Sequence, residues 1–382
     1  MGLCADYVYN LVGNRTSLTD RRGPQAFGYD TLDRLTSASH PLLATPQAFA
    51  YDPVGNRTTG GSVVNAGNQL TADSQFSYEY DDNGNLTRKT LLATGNYTQN
   101  TYDAENRLTK VEDFAVGNPT AVATSTYRYD GLGRRIEKVA NGQIRRYIYD
   151  GEDILLEYDG TNVLQARYTH GPGIDEPIAV TKGGATYFYH QDGLGSVTDL
   201  TDSAGVTAKS YSYDAYGNIV DQTGTVEQPY AYTGREFDQE TGLYYYRARS
   251  YDSIIGRFIE KDPIGLAADV HTYSYVGNDP VSWIDPQGLQ KNRNPRVCLL
   301  LRAAVVVSCK APTSCKEWDS CEVLKLKILL KRFCILSQTA HTRTCYPDNP
   351  NHQQRIEDEL KGIKKCERIL DAKPECFDCP PQ

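Results

Sequence analysis

The sequence predicts a mainly antiparallel β body followed by a small α-rich, Cys-rich C-terminal domain. Three observations carry this. A Tyr-Asp turn unit recurs along the first 220 residues. A five-residue phrase, Asp-Pro-x-Gly-Leu, occurs twice where the composition changes, at 262–266 and 285–289. Nine of the ten cysteines lie between Cys298 and Cys379, with only Cys4 in the body. At 382 residues the chain is long enough for two or three domains.

The repeats come first along the chain. Tyr29-Asp30 is followed by Asp33-Arg34-Leu35-Thr36, Tyr51-Asp52 by Gly55-Asn56-Arg57-Thr58, and Tyr80-Asp81 by Gly84-Asn85-Leu86-Thr87. Tyr102-Asp103 leads to Asn106-Arg107-Leu108-Thr109, and further copies begin at Tyr129-Asp130, Tyr149-Asp150 and Tyr213-Asp214. Spacings of 22, 29, 22, 27 and 20 residues between the first six imply a fixed turn with strands of variable length. In each unit the Tyr ends a strand with its hydroxyl free to hydrogen-bond, and Asp with Gly or Asn makes the turn, because Gly and Asn tolerate positive φ. Arg, then Leu or Thr, starts the return. Each unit buries little and needs stacking, so the body reads as a winding antiparallel sheet without helices. His190 and the Gly193-x-Gly195 pair sit in one of these turns and read as turn residues: the pair lacks the third glycine and following helix of a phosphate loop.

The doubled phrase follows, with eighteen residues between its copies (267–284). Two Asp-Pro turns punctuating β-structure would explain either copy alone. The pair, placed at the compositional break, marks a processing site instead.

Across that break the charge reverses. Residues 290–382 carry 17 Lys/Arg against 11 Asp/Glu, a net of +6, which leaves −14 of the total −8 for residues 1–289. A basic tail on an acidic body favours a polyanionic target, nucleic acid among them, or retention by the body itself. Met1-Gly2-Leu3-Cys4 opens without a signal-peptide core, the longest apolar run (297–309) is too short to span a bilayer, and the start inside a repeat suggests a fragment of a longer ancestor.

The Tyr-Asp units resemble the YD repeats of RHS proteins. The run from Tyr232-Thr233-Gly234-Arg235-Glu236 through Thr241-Gly242-Leu243-Tyr244-Tyr245-Tyr246-Arg247-Ala248-Arg249 resembles the RHS-associated core. It continues through Tyr251-Asp252, Gly256-Arg257-Phe258 and Asp262-Pro263 to Asn278-Asp279-Pro280-Val281-Ser282-Trp283-Ile284-Asp285-Pro286, departing at Ser250 and Lys261. The resemblance implies a YD-repeat/RHS shell segment over 1–231, the core over 232–289 and a variable toxin domain over 290–382. It implies a β-shell around the toxin and an intramolecular aspartyl protease that cuts after the second phrase. Transferred here, the bond is Leu289–Gln290 and the acids are Asp262 and Asp285. Two carboxylates held close cannot both ionise, so one polarises the carbonyl while the other activates water. Arg257, just upstream of Asp262, is the candidate cation, with Lys261 beside it; a strand-end ion pair is the competing role for Arg257. No cofactor is implied for the shell.

The tail reads as helical. Leu326, Leu329, Leu330, Phe333 and Leu336 recur at helical spacing within 323–336, with Lys325, Lys327, Lys331 and Arg332 off that stripe. Such a basic amphipathic helix packs on a core or lies on a membrane. A second helix starts near Pro350 behind an Asn349 cap, with Ile356, Leu360, Ile363, Cys366 and Leu370 as its buried stripe and Glu357–Lys361 as a supporting pair. Its first turn holds His352, where the helix dipole favours a neutral imidazole. With His341, Arg343, Asp348 and Arg355 this makes a cluster able to bind and cleave a phosphodiester, Arg on phosphate and His as acid and base. No nuclease motif matches the spacing, and a chance polar cluster is the alternative. Cys376-x-x-Cys379 with Cys345 and Cys366 leaves zinc, or another divalent metal, open against disulfides.

The function expected from these readings is a bacterial polymorphic toxin of interbacterial competition. It is secreted or delivered into a neighbouring cell without an N-terminal signal peptide, and its core self-cleaves to release a small basic toxin, with nuclease activity as the first candidate. The implied partners are delivery machinery and a cognate immunity protein. A membrane-active tip, and a fragment with neither part active, are the alternatives.

Overall fold

The repeat unit makes the fold, and Asp130 illustrates how. Its Oδ1 accepts the backbone N–H groups of Leu132 (2.9 Å) and Arg134 (3.0 Å), while Oδ2 accepts Arg134 Nε at 2.8 Å. The carboxylate thus closes its own turn within four residues, which is why the chain reverses there whatever the strands do. Asp30 and Asp103 repeat this with Arg34 and Arg107. Asp159, Asp192 and Asp202 make the same backbone bonds without belonging to the counted repeats, two of them behind Gln191 and Thr201 in place of Tyr. The turn belongs to the Asp; the Tyr does something else.

That second role is a staple. Strand register shifts by one residue at Tyr29, Tyr80, Tyr102, Tyr129, Tyr149 and Tyr213, a bulge at six of the seven repeats. The hydroxyls are not left for solvent. Tyr29 donates to the Arg15 carbonyl (2.6 Å), Tyr51 to Leu35 (2.7 Å), Tyr102 to Leu86 (2.8 Å) and Tyr129 to Leu108 (2.7 Å), each reaching the return strand of the preceding unit. Arg34, Arg107 and Arg134 reach forward over the rings of Tyr51, Tyr129 and Tyr149.

The computed structural model describes residues 5–265 and 270–292, with 354, 357, 358, 360–365 and 368. The chain divides into two units, Arg15–Asn292 with Met1–Val8, and Arg293–Gln382 with Tyr9–Asn14. In the first unit the repeats build a five-stranded sheet, Asp6–Tyr9 to Gln47–Ala48, and a sixteen-stranded sheet, Val63–Val64 to Ile219–Thr223. Both follow sequence order strand by strand, as short Asx turns require. A four-stranded sheet comprises Glu236–Asp238, Leu243–Tyr246, Arg249–Asp252 and Arg257–Phe258.

This small sheet is the buried centre. All four residues of Leu243–Tyr246 and of Arg249–Asp252 are buried. Tyr232, Tyr244, Tyr246, Tyr251, Phe258 and Tyr275 pack edge to face or tilted, with ring centroids 4.4–6.5 Å apart. Their hydroxyls find carbonyls, as Tyr244 does at Gly217 (2.8 Å) and Tyr251 at Tyr216 (2.8 Å). Ion pairs tie the core to the wide sheet: Arg135 bonds Glu236 (2.8 Å) and Asp238 (2.5 Å), and Lys138 bonds Asp238 (2.8 Å).

In the second unit, helical backbone is described at 354, 357–358, 360–365 and 368. Ile363 is buried there, whereas Leu360, expected on the same stripe, is exposed. Lys361 pairs with Asp358 at 3.5 Å rather than with Glu357, the i,i+3 neighbour serving in place of i,i+4. The tail's other assignments lie outside the described residues, including His341, Arg343, Asp348, His352 and Arg355 and the cysteines Cys345, Cys366, Cys376 and Cys379.

Candidate active site

The two copies of Asp-Pro-x-Gly-Leu fold as the same reverse turn. The Asp262 carbonyl accepts the Gly265 N–H at 3.0 Å, and the Asp285 carbonyl accepts that of Gly288 at 3.2 Å. Pro fixes φ at the second position and Gly supplies positive φ at the fourth (61° and 66°). Each carboxylate then caps its own turn. Asp262 Oδ1 accepts the Ile264 N–H (2.9 Å). Asp285 Oδ1 accepts two, from Leu289 (3.0 Å) and Gln290 (3.1 Å). The second of these is the amide nitrogen of the Leu289–Gln290 bond.

The remaining oxygens converge on one guanidinium. Arg249 Nη2 lies 2.9 Å from Asp262 Oδ2 and 3.4 Å from Asp285 Oδ2. Its Nη1 donates to the Thr272 carbonyl (3.1 Å) and its Nε to that of Gly288 (2.5 Å). The Phe258 ring lies 3.7 Å below it. All three charged groups are buried, Asp285 to 2 % exposure, Arg249 to 4 % and Asp262 to 6 %. One cation faces two carboxylates in a buried site. Burial pushes the Asp285 carboxyl above the usual range against the pull of Arg249 and of the backbone N–H donors. Glu260, also 2 % exposed, is pushed by burial to about 8 and accepts the Ser250 N–H at 2.7 Å.

Backbone order sets the geometry of the second turn. Three successive residues hold three successive carbonyls: Arg247 Nη1 bonds Pro286 (2.5 Å), the Ala248 N–H bonds Gln287 (3.2 Å), and Arg249 Nε bonds Gly288. A Cβ at Gly288 would stand 2.4 Å from the Tyr246 carbonyl oxygen, so the turn docks as closely as it does only because that residue is glycine. Beyond the bond the chain returns, with Ile284 and Asn292 exchanging backbone hydrogen bonds of 2.9 and 2.6 Å. The Leu289–Gln290 bond therefore sits in a closed loop, Leu289 half-buried and Gln290 exposed.

The residues expected from sequence are thus placed as follows. Asp262, Asp285, Leu289 and Gln290 come together. Arg257 turns elsewhere: Nη2 donates to the Asn68 carbonyl (2.5 Å) and the guanidinium lies over Tyr273. The physical reason is strand alternation. Phe258 faces Arg249, so Arg257, its neighbour on the same strand, points to the opposite side. The cation between the acids is Arg249, which sequence reasoning missed. Its only signal was its place in the Arg247-Ala248-Arg249 run after three tyrosines. Lys261 is exposed, and His190 bonds Thr201 Oγ1 at 2.9 Å. Among the described residues no group of His, Cys, Asp and Glu could hold a metal ion, and no helix is long and apolar enough to cross a membrane.

Comparison with known proteins gives consistent relatives. A family profile described as Teneurin YD-shell matches residues 5–281. The tRNA3(Ser)-specific nuclease WapA of Bacillus spizizenii is 38 % identical over 243 residues, 61 % of this chain and 10 % of that protein. The double-stranded DNA deaminase toxin A of Burkholderia cenocepacia is 32 % identical over 328 residues, 75 % of this chain and 22 % of its own. The chain thus spans about a tenth to a fifth of the length of these relatives. The crystal structure of TcdB2-TccC3 without its hypervariable C-terminal region shares the fold over 75 % of this chain and 17 % of that one (TM-score 0.52, 20 % identity).

Proposed function

The chain belongs to the YD-shell family of RHS/YD-repeat proteins, and from that premise we propose that its core cuts its own Leu289–Gln290 bond and frees residues 290–382 as a toxin. The observation that carries this is the Asp285 carboxylate on the Gln290 N–H, with Arg249 bridging Asp285 to Asp262. A protease needs two carboxyls in different states beside one peptide bond, and buried acids one cation apart meet that need.

Roles follow from position. Asp285 is next to the nitrogen that must leave with a proton, and its raised pKa keeps that proton available. Asp262, in the shorter ion pair with Arg249, is the base for water. Water adds to the Leu289 carbonyl carbon, giving one proton to Asp262. The C–N bond to Gln290 then breaks as Asp285 protonates the nitrogen. Holding the bond in a fixed loop supplies the proximity that makes one unhurried, single-turnover event feasible.

The relatives' names support a toxin directed at nucleic acid for the freed tail, since one is a tRNA nuclease and another a double-stranded DNA deaminase toxin. The tail's net charge of +6 suits a polyanion. In this reading His341, Arg343, Asp348, His352 and Arg355 are the residues to test. An immunity protein, delivery machinery and entry into a neighbouring cell complete the proposal.

The test is time-resolved cell-free synthesis of the whole chain. Wild type is expected to give two fragments with Gln290 as the new N-terminus, and Asp262→Asn or Asp285→Asn to leave it whole. The cleavage rate should fall as pH rises through the raised Asp285 value, because the acid form is then lost. A wild-type chain that stays intact, or Asn variants that cut normally, would defeat the reading. The cleaved product should degrade or modify RNA or DNA, and His352→Ala should abolish this.

A further inference from the structure

The loop between the two central strands of the core contains an arginine where glycine is the usual occupant. Tyr246 pairs with Arg249, leaving Arg247 and Ala248 as a two-residue hairpin loop. Arg247 is its first residue and takes φ 58°. Two-residue hairpin loops require positive φ at this place and are normally given Gly or Asn, because a Cβ there is strained. A long charged side chain held in that conformation needs a compensating contact, and five are present.

Arg247 Nε lies 3.2 Å from Glu152 Oε2, and Nη2 donates to the Glu152 carbonyl at 3.4 Å. Nη2 lies 2.8 Å from Asp175 Oδ1 and Nη1 3.3 Å from Asp175 Oδ2, a two-point clamp. Nη1 also donates to the Pro286 carbonyl at 2.5 Å. Asp175 is itself buried and fixed by Arg235 at 2.5 Å. The guanidinium is thus oriented by two acids of the repeat body, and its remaining bond is spent on the turn that carries the bond to be cut. Arg247 makes no contact with Asp262 or Asp285.

We infer that Arg247 is a positioning residue that fixes which peptide bond is cleaved, by anchoring the Pro286 carbonyl so that Leu289–Gln290 alone meets the acids. This rests on the self-cleavage proposed above. The turn has three anchors, at 286, 287 and 288. The Ala248 N–H belongs to the backbone and Arg249 belongs to the acid pair, so Arg247 is the one side-chain anchor of the turn that stands apart from the acids. Losing it leaves a glycine-containing loop tethered nearer its middle, free to advance a residue toward Asp285. The clamp also makes accurate cutting depend on the repeat body, since Glu152 and Asp175 both belong to it. Cleavage with the right register then follows folding of the sheet and does not precede it.

The experiment follows synthesis of the whole chain with time and reads the new N-termini by mass spectrometry. Arg247→Gly is the informative variant because it removes the side chain while giving the loop the residue its backbone favours, so folding is retained. It should cut about ten- to a hundredfold more slowly, the range for one charged hydrogen bond, and at more than one bond near 289. Arg247→Lys should restore most of the single-bond product, because an ammonium reaches one carbonyl although it cannot hold Asp175 at two points. A purely structural role would change stability and leave the product N-terminus single. If Arg247→Gly shows no cooperative unfolding transition, Glu152→Gln at the half-exposed rim decides, with several-fold slowing and a minor second product expected. Cutting by either deciding variant at the wild-type rate and at one bond overturns the inference. If wild type itself fails to cut, the reading beneath it falls instead.

Discussion

Glu260 is a carboxylic acid that stays largely protonated at neutral pH. It is 2 % exposed, the Ser250 N–H on its Oε2 and the nearby Arg249 offset only part of the burial, and its pKa stands at about 8 against an ordinary 4.5. A folded value above the unfolded one means that the contribution to stability is complete below 4.5 and is lost as pH rises through about 8. Over that window the folded state should lose up to about 1.4 kcal/mol per pH unit from this residue. Urea melts from pH 5 to 8 should therefore slope downward, and Glu260→Gln should flatten them. An unchanged slope in that variant would assign the effect elsewhere. The turn aspartates act in a separate window. Burial raises Asp30, Asp103 and Asp130, but hydrogen bonds from Arg34, Arg107 and Arg134 outweigh it and hold them below 3.8, so their contribution fades only as pH falls below that value.

A single repeat element is a strand, an Asp-closed turn and a return strand, and none of these is unusual in energy. What links one of them to the last is the Tyr hydroxyl, which skips back one unit to a strand-opening carbonyl. Tyr129, bonded to the Leu108 carbonyl at 2.7 Å, is typical. Tyr129→Phe keeps the ring, its tilted contact with Tyr245 and the Arg107 contact while deleting one part-buried hydrogen bond. The expected loss is about 1 kcal/mol, with the same urea m-value. Tyr158 is the control. It precedes a turn Asp, yet its hydroxyl bonds no protein group among the described residues, so Tyr158→Phe should be neutral. Equal effects at the two positions would remove the stapling role.

At the scale of the whole first unit, stability turns on how the four-stranded core is held against the sixteen-stranded sheet. Asp238, 3 % exposed, receives Arg135 at 2.5 Å and Lys138 at 2.8 Å from the wide sheet. Asp238→Asn leaves two buried cations with one fewer charge between them, a change that costs about 3–5 kcal/mol when a buried pair is broken. The variant should melt at markedly lower urea, and a loss under 1 kcal/mol would place the coupling in the tyrosine packing instead.

The sequence by itself determined the repeat turns and the strand order, and it singled out Asp262 and Asp285, which the structure places on one guanidinium. Asx turns are closed by bonds four residues long, consecutive strands joined by such turns can only pair in order, and the doubled phrase drew attention to Asp262 and Asp285 through its family resemblance. It did not determine the cation. Arg257 stood closer along the chain, but Phe258 faces inward and alternation carries Arg257 to the other side. Arg249 lies 13 residues before one acid and 36 before the other, and only the pairing of strands 249–252 and 257–258 with the segment at 272 brings all three together. Register between distant strands is a long-range property, decided by packing after the local rules have been satisfied.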